Sequence, residues 1–170
     1  MLKSEHKDLW ISWEEYHRAI ELLALKIHDS DFKFDHILCL ARGGLRIGDV
    51  FSRLFKLPLS ILSVSSYRGE AGQDQGAIKI GGSIASVEKN FGGRVLLVDD
   101  LVDSGVTFRE VQPWLRDHYP EITEVKSAVI WVKSSSVVIP DFYLTYLEDS
   151  PWIHQPFELY DTHGLEKIRT

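Results

Sequence analysis

Three aspartates and a group of small polar residues lie within nine positions of one another, from Asp99 to Thr107. Asp99 and Asp100 are adjacent, and Asp103 opens the sequence Asp-Ser-Gly-Val-Thr. Neighbouring carboxylates suit ribose hydroxyls or a divalent cation, whereas the amides and hydroxyls of a short loop suit phosphate oxygens. Each feature alone would be ordinary in a strand-to-helix turn, but their combination indicates a binding site for a sugar phosphate.

The elements around these residues predict how they are brought together. Residues 95–98 are a continuous apolar run after two glycines, which is typical of a parallel strand buried on both faces. Asp99 and Asp100 should then lie where this strand emerges at its carboxyl edge, the edge at which open α/β sheets bind ligands. The loop 103–107 should be a tight turn before a helix, with its amides directed into one concavity.

The rest of the chain alternates strands with helices. Ser12 and Glu15 form a capping box before apolar residues at helical spacing, and Pro113 should kink or restart the helix that contains it. Core strands are expected over 34–40, 59–64, 95–98, 124–132 and 142–147, and helices over 13–28, 47–55 and 107–117. This alternation predicts a doubly wound α/β fold, with a mainly parallel sheet flanked by helices.

Length and composition narrow the class of protein. The chain has 170 residues, the size of one ordinary domain, and a formal net charge of −6. Such a charge supplies no broad basic face, so no nucleic-acid partner is expected. No apolar stretch approaches membrane-spanning length, and the charged N-terminus lacks the features of a signal peptide. We therefore expect a cytoplasmic protein without a membrane partner, in which the single Cys39 is a small buried apolar residue.

Other segments carry residues that suit binding. Arg42-Gly43-Gly44 follows the strand over 34–40, where glycines allow close approach of the backbone and Arg42 can donate to an oxyanion. Taken alone, these residues favour a plain strand-to-helix turn with a surface arginine. Lys133 directly follows the strand over 124–132, where a lysine is usually a strand-end cation.

Two irregular segments also suit binding. The segment around 65–90 suits a surface loop or a lid, with Arg68 and Lys79 as candidate cations. The loop 148–160 is dense in aromatic residues and prolines, which suits either a cover for the core or a flat binding face.

The chain resembles a known family at three places. The stretch 95–107 resembles the phosphoribosyl-pyrophosphate signature of the type I phosphoribosyltransferases: an apolar strand, two acids, two apolar residues and an Asp-Ser-Gly-Val-Thr loop. Arg42-Gly43-Gly44 resembles the pyrophosphate-binding loop of that family. The sequence Trp-Ile-His-Gln-Pro-Phe-Glu at 152–158 resembles the base-recognition segment of the bacterial xanthine-guanine phosphoribosyltransferases.

The resemblance also implies an organisation for the chain. Residues 1–170 should form a single domain, with a flexible hood around 65–90 and a base-recognition segment around 148–160. A strained peptide, in either the trans or the cis form, is implied between Ala41 and Arg42. The chain departs from the family pattern at Ala41, where a serine is frequent, at His154, where an acid is usual, and in its longer hood segment.

Each matching residue acquires an implied role. Asp103 should accept the proton that the base loses at N7, and Asp100 should help to hold Mg²⁺. Lys133 should recognise a 6-oxo group, Trp152 should stack on the base, and the Ile153 backbone should meet the group at position 2. The residues implied to bind phosphoribosyl pyrophosphate (PRPP) are Arg42, Gly43, Asp99, Asp100, Asp103, Ser104, Gly105, Val106 and Thr107, and those implied to bind the base are Asp103, Lys133, Trp152 and Ile153.

The implied reaction belongs to purine salvage. It is the Mg²⁺-dependent transfer of 5-phosphoribose from PRPP to guanine, xanthine or hypoxanthine, with release of pyrophosphate. PRPP and a purine base are the implied partners, and self-association into a dimer or tetramer is common in the family. Two alternatives remain open at this point: a non-catalytic PRPP sensor of the same fold, and a phosphoribosyltransferase for another base.

Overall fold

The computed structural model describes residues 8–66 and 78–169. Arg68 and much of the polar part of the predicted hood lie outside these described residues. Along the described chain the elements are β1 (Leu9–Trp10), α1 (Trp13–His28), β2 (His36–Ala41), α2 (Leu45–Phe55), β3 (Leu59–Ser66), β4 (Ile78–Ile80), β5 (Gly93–Val98), β6 (Leu101–Val102), α3 (Val106–His118), β7 (Ile122–Lys133), β8 (Phe142–Leu147), β9 (Ile153–His154), α4 (Glu158–His163) and a 3-10 helix (Gly164–Ile168).

The central sheet confirms the predicted architecture. Within the described residues it has the spatial order β4-β3-β2-β5-β7-β8, and β6 also pairs with β7. Neighbouring strands run parallel, except that β4 is antiparallel to β3. Each predicted core strand is present, with shifts of a few residues at the ends. The fold is therefore a doubly wound, mainly parallel sheet flanked by helices.

A short strand that the sequence did not predict, β6, follows the two adjacent aspartates. β5 pairs with β7 as far as Val98 opposite Ala128, and β6 resumes the pairing with Leu101 opposite Trp131. Because β8 occupies the other side of β7, β6 continues the line of β5. The aspartates thus lie in a break between two collinear strands.

Helices cover both faces of the sheet, and successive residues of the central strands face opposite sides. On one face, Tyr16 of α1 and Phe51 of α2 belong to a buried cluster with Cys39 of β2. On the other face, Phe108 of α3 belongs to a cluster with Leu40. Because side chains alternate along a strand, a strand covered on both faces must be apolar throughout. The runs 37–40 and 95–98 accordingly contain no polar side chain.

Two helices test the local sequence signals. The capping box of α1 is present, since the Glu15 amide donates to Ser12 Oγ at 3.2 Å and the Ser12 amide donates to Glu15 Oε2 at 2.8 Å. By contrast, α3 runs without interruption through Pro113, so the expected restart is wrong. A proline removes only one helical hydrogen-bond donor, and packing of the apolar face of α3 against the sheet offsets that loss.

The C-terminal segment returns to the start of the described chain. β9 pairs with β1 in a parallel two-stranded sheet, and the Leu9 amide donates to the Trp152 carbonyl at 2.8 Å. α4 and the 3-10 helix follow, and they extend along the described chain to Ile168. No helix in residues 8–66 and 78–169 has both the length and the apolar character needed to cross a membrane.

Candidate active site

Asp99 and Asp100 occupy the break between β5 and β6, where both residues are half-buried. The backbone amide of Asp100 donates to Oδ1 of Asp99 at 3.0 Å. Burial, and then the neighbouring Asp100 carboxylate, raise the pKa of Asp99 well above its usual range. Burial likewise raises the pKa of Asp100. Two shielded carboxylates at one place favour a bound cation or hydrogen-bond donors that offset their charge.

The loop between β2 and α2 lies against this carboxylate pair. A Cβ atom on Gly43 would be 2.5 Å from Oδ1 of Asp99 and equally 2.5 Å from Oδ1 of Asp100, which is closer than real Cβ contacts allow. Only glycine therefore lets the loop backbone approach both carboxylates. The peptide bond between Ala41 and Arg42 is cis, one of the two forms that the resemblance implied.

Arg42 extends from the same loop into solvent. Its side chain is 81% exposed, and its guanidinium donates to Oδ1 of Asp161 in α4 at 3.0 Å. Ion pairs between exposed side chains contribute at most about 1 kcal/mol to stability. A phosphate ligand could therefore compete with Asp161 for this guanidinium at little cost.

The loop between β6 and α3 has the form of an anion cradle. Gly105 has a φ of 80°, and a Cβ atom there would lie 2.6 Å from Ser136 Oγ, so the position favours glycine. Because this N-cap residue of α3 has no side chain to offer, the first helical amides are available to an anion. The Val106 amide has only a long contact, 3.4 Å, with Ser104 Oγ. Ser104 and Thr107 add hydroxyl groups to the turn.

A second cluster lies at the end of β7. Lys133 is only 6% exposed, and its ammonium donates to Oδ2 of Asp103 at 3.2 Å. The same ammonium lies 5.6 Å from the ring centre of Trp152, whose side chain is largely exposed. The structure thus brings a cation, a carboxylate and an accessible aromatic ring together.

The two residues after Trp152 have different surroundings. The side chain of Ile153 is buried in β9 and belongs to the core. The ring of His154 stacks on Trp10 with 3.7 Å between ring centroids, and its Nε2 lies 2.9 Å from Oδ2 of Asp8. The His154 side chain therefore contacts Trp10 and Asp8, and these contacts hold β9 against the start of the described chain.

Two residues beside the site were not identified from the sequence. Gln155 is buried and donates its side-chain amide to Oδ2 of Asp100 at 2.6 Å, and Asp161 accepts from Arg42. These contacts join positions that are 55 and 119 residues apart along the chain. No local pattern could have indicated either contact, although Gln155 does stand within the segment that resembles the base-recognition sequence.

Comparison with known proteins supports the resemblance. The family model of the phosphoribosyl transferase domain matches residues 12–162. The xanthine-guanine phosphoribosyltransferase of Idiomarina loihiensis is 28% identical over 164 residues, which cover 96% of this chain and 94% of the relative. The enzyme of that name from Gluconobacter oxydans is 30% identical over 149 residues, which cover 87% and 83%.

A solved structure agrees with these relatives. The purine phosphoribosyltransferase of Pyrococcus horikoshii has a TM-score of 0.67 and 28% identity, over 88% of this chain and 93% of that one. The residues matched by the family model include the carboxylate pair, the anion cradle and the Lys133 cluster. The resemblance inferred from the signature is thereby confirmed, and this chain belongs to the phosphoribosyltransferase family, as an enzyme of that type.

Proposed function

We propose that this phosphoribosyltransferase acts in purine salvage, on guanine, xanthine or hypoxanthine. The bond between C1 of PRPP and pyrophosphate breaks, a bond from C1 to the base forms, and the base loses a proton. The products are the nucleoside 5'-monophosphate and pyrophosphate. The names of the relatives, which act on purines or on xanthine and guanine, support a purine substrate.

The observation that carries the proposal is the position of the buried Lys133. An ammonium group donates hydrogen bonds and accepts none, so it suits the 6-oxo group of guanine, xanthine or hypoxanthine and opposes the 6-amino group of adenine. Trp152 supplies a flat face on which a purine can stack. We assign recognition of the group at position 2 to the backbone of Ile153.

Asp103 is our candidate for the general base. Its side chain is 60% exposed, although Lys133 holds one of its carboxylate oxygens. The exposed part of the carboxylate can accept the N7 proton as the base reacts, and the ammonium offsets the charge of the carboxylate before that transfer.

PRPP would occupy the neighbouring loops. We assign the 5-phosphate to the amides and hydroxyls of 103–107, and the ribose hydroxyls to Asp99 and Asp100. Pyrophosphate would lie against the Gly43 backbone and take the Arg42 guanidinium from Asp161. Negative charge that develops on the departing pyrophosphate would then meet donors already in place.

The carboxylate pair also fits Mg²⁺. This ion prefers oxygen ligands and is commonly held by one or two carboxylates together with substrate phosphates. Burial raises the pKa of both Asp99 and Asp100, which supports a bound cation that would offset their charge. We assign Asp100 as its protein ligand, and bound Mg²⁺ would neutralise charge on pyrophosphate.

The remaining expectations belong to the same proposal. Residues 1–170 would form one domain, and the segment around 65–90 would act as a hood over the reaction centre. Lys79, an exposed residue of β4, is the described candidate for contacting pyrophosphate from the hood. We also propose that the protein is cytoplasmic and that it associates into a dimer or tetramer.

A base panel tests the proposal. The pure protein is incubated with PRPP, Mg²⁺ and each of guanine, xanthine, hypoxanthine, adenine and uracil, and nucleotide formation is followed by chromatography. We expect a product with at least one 6-oxopurine and none with adenine or uracil. A product with adenine or uracil alone would show a different base specificity, and PRPP binding without any product would favour the sensor.

A further inference from the structure

Gln155 follows β9 directly and is only 5% exposed. Its Nε2 donates to Oδ2 of Asp100 at 2.6 Å, a short hydrogen bond to a charged group. We infer that Gln155 is a positioning residue, which fixes the orientation of the Asp100 carboxylate for PRPP and its metal ion. The inference rests on the proposed function, because that function places Asp100 against the ribose.

The geometry of Asp100 shows what the hydrogen bond achieves. Oδ2 is held by Gln155, whereas Oδ1 faces the loop at Gly43, since it lies 2.5 Å from where a Cβ atom of that glycine would be. The carboxylate cannot rotate about its Cβ–Cγ bond without breaking the bond to Gln155. One oxygen is therefore presented in a single direction, toward the loop that we assign to pyrophosphate.

The choice of an amide at this position supports a specific role. The Oε1 atom of Gln155 is buried, and no hydrogen-bond partner for it is present among the described residues. An unpaired buried carbonyl is costly, and a methionine would fill a similar volume without that cost. Unlike methionine, the glutamine side chain supplies an N–H donor to Asp100, which offsets the cost of the unpaired carbonyl.

A purely structural role would have different consequences. If Gln155 only packed β9 against the sheet, its replacement would lower stability and affect both substrates together. If it positions Asp100, its replacement should weaken PRPP binding and leave the KM for the base nearly unchanged. Tm should fall under either role, because the Asp100 carboxylate loses a donor, so the two roles are separated by the affinity for PRPP and the KM for the base.

Gln155→Met is the informative variant, because it keeps the length of the side chain and removes the donor. Titration calorimetry of the full chain with PRPP and Mg²⁺, without a base, should show a roughly ten- to hundredfold higher Kd, as is typical when a ligating carboxylate loses the partner that orients it. The matched control is Gln112→Met on α3, which should leave Kd within about twofold. An unchanged Kd in Gln155→Met would overturn the inference.

A double-mutant cycle tests whether Gln155 acts through Asp100. In the Asp100→Asn background, Gln155→Met should change the Kd for PRPP by less than about twofold, because the carboxylate that it positions is gone. Full additivity of the two substitutions would show that Gln155 acts elsewhere and would overturn the inference. If Gln155→Met does not fold, Gln155→Leu replaces it, since it also lacks the amide donor and adds no charge, and the same rise in Kd is expected.

This experiment can fail separately from the proposed function. Failure of the proposed function would appear as wild-type protein that makes no nucleotide with any 6-oxopurine. Failure of the inference would appear as wild-type and Gln155→Met proteins with the same Kd for PRPP, whichever base the enzyme uses.

Discussion

Asp103 has contacts that orient its carboxylate and still leave room for a substrate proton. Lys133 donates to Oδ2 at 3.2 Å, and Ser135 Oγ makes a long contact of 3.4 Å with Oδ1. The side chain is otherwise largely exposed. A carboxylate has about four lone-pair sites, so both contacts can persist while the base is deprotonated.

Asp103→Asn should therefore lower the rate of the reaction while leaving the stability of the fold nearly unchanged. The asparagine keeps an oxygen for Lys133 but cannot take up a proton, so kcat should fall by roughly 10²- to 10⁴-fold. Tm should change by less than about 4 °C, because the residue is exposed. Steady-state kinetics and a thermal melt measure the two quantities, with the exposed Asp117→Asn as control. Equal kcat in Asp103→Asn and wild type would remove the general-base role.

The site is built from the β2–α2 loop, the break between β5 and β6, the β6–α3 loop and the carboxyl end of β7, so its geometry depends on how closely these segments approach one another. The β2–α2 loop makes a close approach, because the backbone of Gly43 faces the side chains of Asp99 and Asp100 in the break between β5 and β6. Substitution there tests the packing of two loops, whereas substitution of an aspartate tests a charge.

Gly43→Ala should weaken PRPP binding by at least tenfold. A Cβ atom 2.5 Å from two carboxylate oxygens forces either the loop or the aspartates to move, and misplaced groups lose binding and rate steeply. Calorimetry with PRPP and Mg²⁺ measures the affinity. Gly82→Ala is the control for stability, because a Cβ atom at Gly82 would meet nothing within 4 Å and its Tm should match wild type. A Gly43→Ala protein with wild-type affinity would show that this close approach does not matter.

The elements differ in how far the sequence could predict them. The strand segments 37–40 and 95–98, which are covered on both faces, are apolar throughout, and α1 begins at a capping box, so these elements were predicted correctly. The two-residue strands β6 and β9 are too short to show a period, and their pairing depends on partners distant in the chain. For the same reason, the sequence placed Asp100 and Lys133 at strand ends but could not predict the contact of Asp100 with Gln155.

At the scale of the whole molecule, the adjacent carboxylates of Asp99 and Asp100 are expected to lower the stability of the folded protein. Two adjacent aspartates directly follow the apolar residues 95–98 of β5, and burial and their mutual repulsion raise the pKa of Asp99. A site prepared for a cation and a sugar is expected to destabilise the protein without ligand, since binding groups are held in place before their partners arrive. PRPP and Mg²⁺ should accordingly raise Tm, because they bind only the folded state.

Asp99→Asn should make the protein without ligand more stable and less responsive to ligand. The asparagine Oδ1 can still accept from the Asp100 amide, while one of two repelling charges is removed, so Tm at pH 7.5 should rise by roughly 2–4 °C, or about 1 kcal/mol.

The same difference in Tm should depend on pH. The raised pKa of Asp99 means that this carboxyl group holds its proton more tightly in the folded state than in the unfolded state. The stability of wild type therefore declines as pH rises from the ordinary value near 3.8, and the difference in Tm should vanish toward pH 4. Thermal melts with and without PRPP and Mg²⁺ measure both effects, with exposed Asp31→Asn as control. A lower Tm in Asp99→Asn without ligand at pH 7.5 would show that the buried charge does not oppose folding.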